Sequence, residues 1–150
     1  MRTAATSLVV PFWASLLLCG CGSSVQLGQI DGTLRLDGQP FNQVMVTFIP
    51  EDPQQPQSIG ITDAEGRFRL RCGKAGVGAV VGPHRVTLVD AAVAPGGRSR
   101  DDDELPEGAA APVSRVPQIY ARPDKTPLRQ SVAPGSQNVT FDIPSERKPS

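Results

Sequence analysis

Few side chains in this sequence could carry acid–base or nucleophilic chemistry. His84 is the only histidine among the 150 residues, and the cysteines are Cys19, Cys21 and Cys72. A metal or catalytic site that needs two histidines therefore cannot form within one chain. A nucleophilic site needs a base beside a Ser or Cys, and His84 stands at the start of a predicted strand, a position typical of a structural histidine. We expect no catalysis, no metal and no cofactor, and a hydrolase centred on His84 is the enzymatic alternative.

The N-terminal cysteines point to covalent attachment rather than catalysis. A basic start at Arg2 precedes an apolar run, residues 8–18, that is too short to span a bilayer, for which about 20 residues are needed. The following Leu18-Cys19-Gly20-Cys21 resembles the lipobox of bacterial lipoproteins. This resemblance implies cleavage between Gly20 and Cys21 and lipidation of Cys21. An ordinary signal peptide cut nearby is the alternative. We expect a signal peptide over 1–20, a tether over 21–28, and export to a bacterial membrane, on its periplasmic or outer-surface side.

Removal of the signal peptide leaves a chain that must be stabilised by a packed core. Of the three cysteines only Cys21 and Cys72 remain, and a thioether at Cys21 leaves Cys72 without a disulfide partner. Cys72 continues an apolar alternation and is read as a small buried hydrophobe. The whole chain has 15 basic and 15 acidic residues, so electrostatics do not favour nucleic-acid binding.

The rest of the chain predicts an all-β domain. Gly and Pro supply 15 residues each, which disfavours long helices. Apolar and polar residues alternate with a period of two in short segments bounded by Gly, Pro or Asp, a pattern typical of a two-sheet sandwich. These segments are 30–36, 44–49, 57–62, 68–72, 86–88, 128–132 and 139–143. We expect the sandwich to cover 29–143, with a mobile loop over 91–117, which lacks periodicity, and a tail over 144–150.

Three segments resemble the carboxypeptidase regulatory-like domains found in many small bacterial lipoproteins. They are residues 32–46 with the turn Gly38-Gln39-Pro40, the stretch 62–68 reading Thr-Asp-Ala-Glu-Gly-Arg-Phe, and residues 82–88. The resemblance implies a transthyretin-like seven-stranded Greek-key sandwich that serves as an accessory, adhesive or structural module.

The fold-defining turn of this resemblance comprises Thr62, Asp63, Gly66 and Phe68. Asp63 is suited to accept backbone N–H groups at the start of the turn. Gly66 is suited to a positive φ, which side chains disfavour. Phe68 then returns the chain to the core.

Charged runs suggest binding surfaces without specifying a ligand. Arg67, Arg69 and Arg71 alternate with apolar residues and form a candidate anion-binding strip, whose plain alternative is a solvated face. The acidic run 101–104 lacks the ligand spacing of a calcium loop and is read as solvated. The expected partners are a membrane, through the N-terminal lipid, and an unknown envelope protein or polyanion. The predicted function is a non-enzymatic, lipid-anchored structural or interaction module. A carbohydrate-binding or other small-ligand module is the alternative, weakened because the core requires most of the aromatic residues.

Overall fold

The computed structural model describes residues 25–93 and 113–145, which form two packed β-sheets with almost no helix. This arrangement confirms the all-β prediction. The strands are β1 (Leu27–Leu36), β2 (Gln39–Pro40), β3 (Val44–Pro50), β4 (Ser58–Ile61), β5 (Arg67–Arg69), β6 (Arg71–Cys72), β7 (Gly76–Val77), β8 (Ala79–Val80), β9 (Gly82–Asp90), β10 (Arg129–Val132) and β11 (Gly135–Ile143). A 3₁₀ turn, Gly73–Ala75, and a four-residue helix, α1 (Gln118–Ala121), complete the described chain.

The first long strand organises one of the two sheets. In sheet A, β1 pairs on one side with β11 and on the other with β2, β5 and β8. The β1–β11 pair is parallel and continuous from Gly28 opposite Gly135 to Leu36 opposite Ile143. All other strand pairs of the described chain are antiparallel. The beginning and the end of the domain are thus joined by one ladder of backbone hydrogen bonds.

The second sheet, sheet B, has the strand order β10-β9-β3-β4-β6-β7. Because side chains alternate across each strand, the inner faces of both sheets supply the core. Phe141 of sheet A lies 6.2 Å from Phe48 of sheet B, ring centre to ring centre, and 6.5 Å from Phe68. Around these rings pack buried aliphatic residues of both sheets, among them Ile30, Leu34, Val46, Leu70, Val86 and Leu88.

The predicted strand 68–72 is two strands in the structure, and they belong to different sheets. β5 pairs with β1 in sheet A, whereas β6 pairs with β4 in sheet B. The chain crosses between the sheets at Leu70, which is fully buried and whose N–H donates to the carbonyl of Ile30. Gly60 permits the crossing, because a Cβ there would collide with the backbone of Arg69. The period-two pattern continues through the crossing, so it could not reveal this change of sheet.

Several element boundaries also differ from the predicted ones. β1 begins at Leu27, within the segment expected to be tether. Residues 113–117, expected to belong to the mobile loop, are packed against the sandwich, with Val116 buried in the core. Ser145, expected in the tail, donates its backbone N–H to the Asp37 carboxylate at 3.1 Å. The short strands β2, β7 and β8 lack the length that a periodic pattern needs to be visible in sequence.

Candidate functional site

The turn between β4 and β5 is held by a dense set of hydrogen bonds. The Asp63 carboxylate accepts the backbone N–H groups of Glu65 at 3.0 Å and Arg67 at 2.8 Å. These bonds, that from Arg67 above all, lower the pKa of Asp63. Gly66 has a φ of +73°, and its carbonyl accepts the N–H of Leu34 at 2.7 Å. A side chain at Gly66 would meet that strand, because a Cβ would collide with the carbonyl of Leu34.

The residues that flank the turn tie it to both sheets. The buried Thr62 hydroxyl accepts the N–H of Val44 at 2.9 Å, which fixes the turn to β3 in sheet B. The ring of Phe68 is buried and lies where a side chain of Gly32 would project, so glycine is required there in β1. The four residues singled out in the sequence therefore bridge the two sheets at one end of the molecule.

Beside this turn, the outer face of sheet A carries a polar cleft of about 730 Å³. Cross-strand pairing sets its side chains in two rows, because Asp31 lies opposite both Arg69 and Asn138, and Thr33 lies opposite both Arg67 and Thr140. The first row thus holds a guanidinium group, a carboxylate and an amide, and the second row holds a guanidinium group and two hydroxyl groups. This arrangement suits a ligand rich in hydroxyl or other polar groups.

The arginines of the cleft are already paired with carboxylates. Arg69 lies 2.6 Å from the Asp31 carboxylate, and Arg67 lies 3.4 Å from Asp63 and 3.2 Å from Glu65. All of these side chains are substantially exposed, so each pair contributes little to stability. The cleft consequently presents no excess of positive charge from these two arginines.

Arg71 lies apart from the other two arginines of the predicted strip. It is on β6, opposite Ile59 of β4, in sheet B. Its side chain is exposed, but on a different sheet from the paired Arg67 and Arg69. The three residues therefore do not form one continuous strip, and anion binding by them stays a prediction.

The most buried ion pair of the described chain, between Asp90 and Arg115, was not anticipated from the sequence. Asp90, at the end of β9, is 1% exposed. Its carboxylate accepts the Nε and Nη2 groups of Arg115, both at 2.9 Å, and the backbone N–H groups of Arg115 at 3.0 Å and Ala92 at 3.2 Å. The Arg115 side chain also donates to Asn42 and lies 5.1 Å from the centre of the Phe41 ring. A charged pair separated by 25 residues leaves no periodic signal in the sequence.

The ion pair shifts the pKa values of both Asp90 and Arg115. Hydrogen bonds from Arg115, first those of its side chain, lower the pKa of Asp90 to about 2. The same bonds raise the pKa of Arg115. Asp90 and Arg115 stand on either side of residues 94–112, so the ion pair joins the two ends of that segment.

His84 is a core residue, 1% exposed. Its ring lies 5.8 Å from that of Phe48, and Nδ1 lies 3.0 Å from the carbonyl oxygen of Gly82. A neutral ring that donates from Nδ1 has a bare lone pair at Nε2, and Nε2 makes no hydrogen bond to the described residues. Burial lowers the pKa of His84. A ring enclosed in this way does not reach the surface on which a substrate would bind.

Several predicted features lie outside the described residues. The cleavage and lipidation positions, Gly20 and Cys21, and the acidic run 101–104 are among them. Within 25–93 and 113–145, no helix has the length and apolar character needed to cross a membrane. No group of three or more His, Cys, Asp or Glu in these ranges could hold a metal ion. Cys72 is a buried free thiol with Sγ 3.8 Å from the carbonyl oxygen of Pro56.

The described residues define an all-β protein of two packed sheets with a polar cleft on one outer face. Comparison of the chain with protein-family models, curated proteins and solved structures finds no match.

Proposed function

We propose that this chain is an exported lipoprotein whose transthyretin-like, carboxypeptidase regulatory-like sandwich serves as a non-enzymatic interaction module at a bacterial membrane. The sequence supports the anchor through the Leu18–Cys21 motif after an apolar run of signal-peptide length. The structure supports a short tether, because β1 begins at Leu27, so only residues 22–26 separate the sandwich from Cys21. An extended link between Cys21 and Leu27 reaches about 20 Å. The sandwich would stay next to the membrane surface.

The observation that carries an interaction role rather than catalysis is the position of His84. The only histidine of the chain is enclosed between Phe48 and the Gly82 carbonyl, with 1% of its surface exposed. Asp90 and Arg115 bind each other and neighbouring backbone. These polar groups act within the fold, which leaves the outer sheet faces as the surfaces for recognition.

Intact mass of the protein extracted from membranes tests the anchor. The expected species begins at Cys21 and carries acyl chains, and a Cys21→Ala variant is released from the membrane fraction. A Cys72→Ala variant is the matched control, because this buried thiol has no role in anchoring. A Cys21→Ala protein that stays in the membrane after high-salt washing contradicts the proposal. Proteins that co-purify with the intact lipoprotein then identify its partner.

A second candidate function is binding of a polar small ligand, such as a carbohydrate, in the cleft of sheet A. Its support is the cleft of about 730 Å³ and the two rows of Arg, Asp, Asn and Thr side chains that line it. These side chains offer both donors and acceptors, as hydroxyl groups of a sugar require. The described chain has no exposed aromatic residue in this cleft on which a sugar ring could stack.

A screen of the purified protein against neutral and acidic oligosaccharides tests this second candidate. Binding in the cleft predicts that Asn138→Ala, which removes an exposed amide from its lining, abolishes any signal found. Gln130→Ala on β10 removes an amide from the other sheet and is the matched control. A signal that survives Asn138→Ala, or the absence of any signal, argues against a carbohydrate site in this cleft.

A further inference from the structure

The outer face of sheet B is more apolar than a solvent-facing sheet requires. Three aliphatic residues of β4 and β7 are among the exposed large hydrophobic residues of the described chain, Ile59 at 44%, Ile61 at 60% and Val77 at 41%, and Ile61 also lines the cleft of sheet A. Cross-strand pairing joins Val89, Met45 and Ile61 in one row, and Thr87, Thr47, Ile59, Arg71 and Val77 in the next. Clustered aliphatic residues of this kind mark a docking surface more often than scattered ones do.

Every charged side chain that the strands place on this face is an arginine. Arg71 lies between Ile59 and Val77, and Arg85 lies opposite both Ile49 and Arg129. Arg85 and Arg129 are like charges in directly opposed positions, an arrangement that is unfavourable without a neutralising partner. No carboxylate of the described residues lies within ion-pair distance of these three arginines.

The outer faces of the two sheets therefore differ in whether their arginines are paired with carboxylates. On sheet A, Arg67 and Arg69 are matched by Asp31, Asp63 and Glu65. On sheet B, Arg71, Arg85 and Arg129 have no carboxylate partner among the described residues, and Arg129 donates to the carbonyls of Thr126 and Leu128. The crossing at Leu70 creates this difference, because it separates Arg71 from the carboxylates of sheet A.

We propose that the outer face of sheet B docks on an anionic phospholipid surface, with Ile59 and Val77 at the acyl boundary and Arg71, Arg85 and Arg129 near the phosphates. This inference rests on the proposed function, because the anchor at Cys21 is what brings the face to a membrane. Its chemistry is that of apolar burial combined with charge complementarity.

The position of the chain start favours a membrane over a free partner. Leu27, where the sandwich begins, lies beside β7, since a Cβ at Gly76 would be 3.8 Å from its Cδ1 atom. Val77 of β7 is at the edge of the arginine-bearing face. With a tether of about 20 Å, the lipid at Cys21 and this edge would lie within reach of the same bilayer. The anchor thus presents the face to lipid before any soluble partner arrives.

A fluorescent probe on the full chain tests the proposal. Gln57→Cys lies beside Ile59 at the start of β4, is exposed, and is labelled with a polarity-sensitive fluorophore, whereas Cys72 is buried. The labelled protein is placed in vesicles of phosphatidylcholine alone or mixed with phosphatidylglycerol, with a spin-labelled lipid as quencher. We expect a blue shift and quenching in the anionic vesicles only, and a decrease at high salt.

Variants with matched controls locate the contact. The double variant Ile59→Asp/Val77→Asp is expected to lose the quenching, whereas Ile119→Asp, at a similarly exposed isoleucine on α1, retains it. Arg71→Glu/Arg85→Glu is also expected to lose it. Arg35→Glu retains it, because this exposed arginine lies on β1 in sheet A.

Three outcomes overturn the proposal, besides the absence of quenching in anionic vesicles. They are equal quenching in neutral and anionic vesicles, equal quenching of a probe at Thr140→Cys on sheet A, and quenching unaffected by the sheet B variants. Mass spectrometry of the same preparation separates this test from the anchor. A chain that lacks lipid at Cys21 refutes the anchor, and a Cys21→Ala chain, which cannot be labelled at that position, supports the face if it is quenched on mixing with anionic vesicles. A lipidated chain without quenching would support the anchor and refute docking of the sheet B face on lipid. Capture of an acidic protein by this face would then identify a protein docking site instead.

Discussion

The ion pair between Asp90 and Arg115 should stabilise the folded chain measurably, and Arg115→Met is the substitution that removes it. The variant keeps an unbranched apolar stem but removes the guanidinium donors, which leaves the buried Asp90 carboxylate with the backbone N–H groups of Ala92 and residue 115. A fall of the Asp90 pKa from 3.8 to about 2 corresponds to about 2 kcal/mol at neutral pH. Removing one partner of a buried pair costs about 3 to 5 kcal/mol. Because the Arg115 side chain is 42% exposed, water compensates part of this loss. We therefore expect Arg115→Met to lower the free energy of unfolding by about 2 kcal/mol.

The pH dependence of the free energy of unfolding provides a second test of the Asp90–Arg115 ion pair. The folded chain holds the pKa of Asp90 below its unfolded value of 3.8, so the stabilisation is complete above pH 4 and is lost as the pH falls towards 2. The free energy of unfolding, measured in urea by circular dichroism, should therefore differ between wild type and Asp90→Asn at pH 7 and converge at low pH. A double-mutant cycle with Arg115→Met isolates the coupling.

Arg122→Met is the matched control for this experiment. Arg122 pairs with Asp124 at 3.3 Å, but both side chains are more than half exposed, so the same substitution should leave stability unchanged within error. If Arg115→Met behaves like Arg122→Met, the pair acts as an ordinary surface contact and the reasoning from burial is wrong. The same conclusion follows if the coupling energy does not diminish towards pH 2.

The remaining predictions concern the turn and the core. Gly66→Val should destabilise the fold by more than about 1 kcal/mol, because Gly66 has a positive φ and a side chain there would collide with the Leu34 carbonyl. Gly38→Val is the control in thermal melts, because Gly38 has a φ of +78° but open space around it, so its substitution measures the backbone cost without the collision. Phe68→Ala should cost about 3 to 5 kcal/mol by urea titration, since the ring is 4% exposed, and an unchanged midpoint would contradict its place in the core. Burial keeps the pKa of His84 below its ordinary 6.5, so stability should be full above pH 6.5 and decline below it. The variant His84→Asn, in which the amide replaces the Nδ1 donor, should remove this slope between pH 7 and 5, and a slope that persists would assign it to another group.

Period-two alternation was enough to predict an all-β chain. Each of the seven predicted segments contains strand in the structure, because one face of every strand must be apolar to cover the core. The turn chemistry at Asp63 and Gly66 was equally local. A carboxylate that accepts two backbone N–H groups and a glycine at φ +73° depend on residues within five positions of each other.

The sequence could not determine which residues far apart along the chain come into contact. The parallel pairing of β1 with β11 joins positions 107 apart, as Gly28 and Gly135 show, and nothing in either segment specifies its partner. Arg67, Arg69 and Arg71 look equivalent in the sequence, since alternation places them all outward. Only the tertiary structure separates them, because the chain must leave sheet A at Leu70 to close the edge of the core, and the last arginine then projects from sheet B. Local pattern thus determined which side of a strand faces water, and packing of the two sheets decided which surface each side chain belongs to.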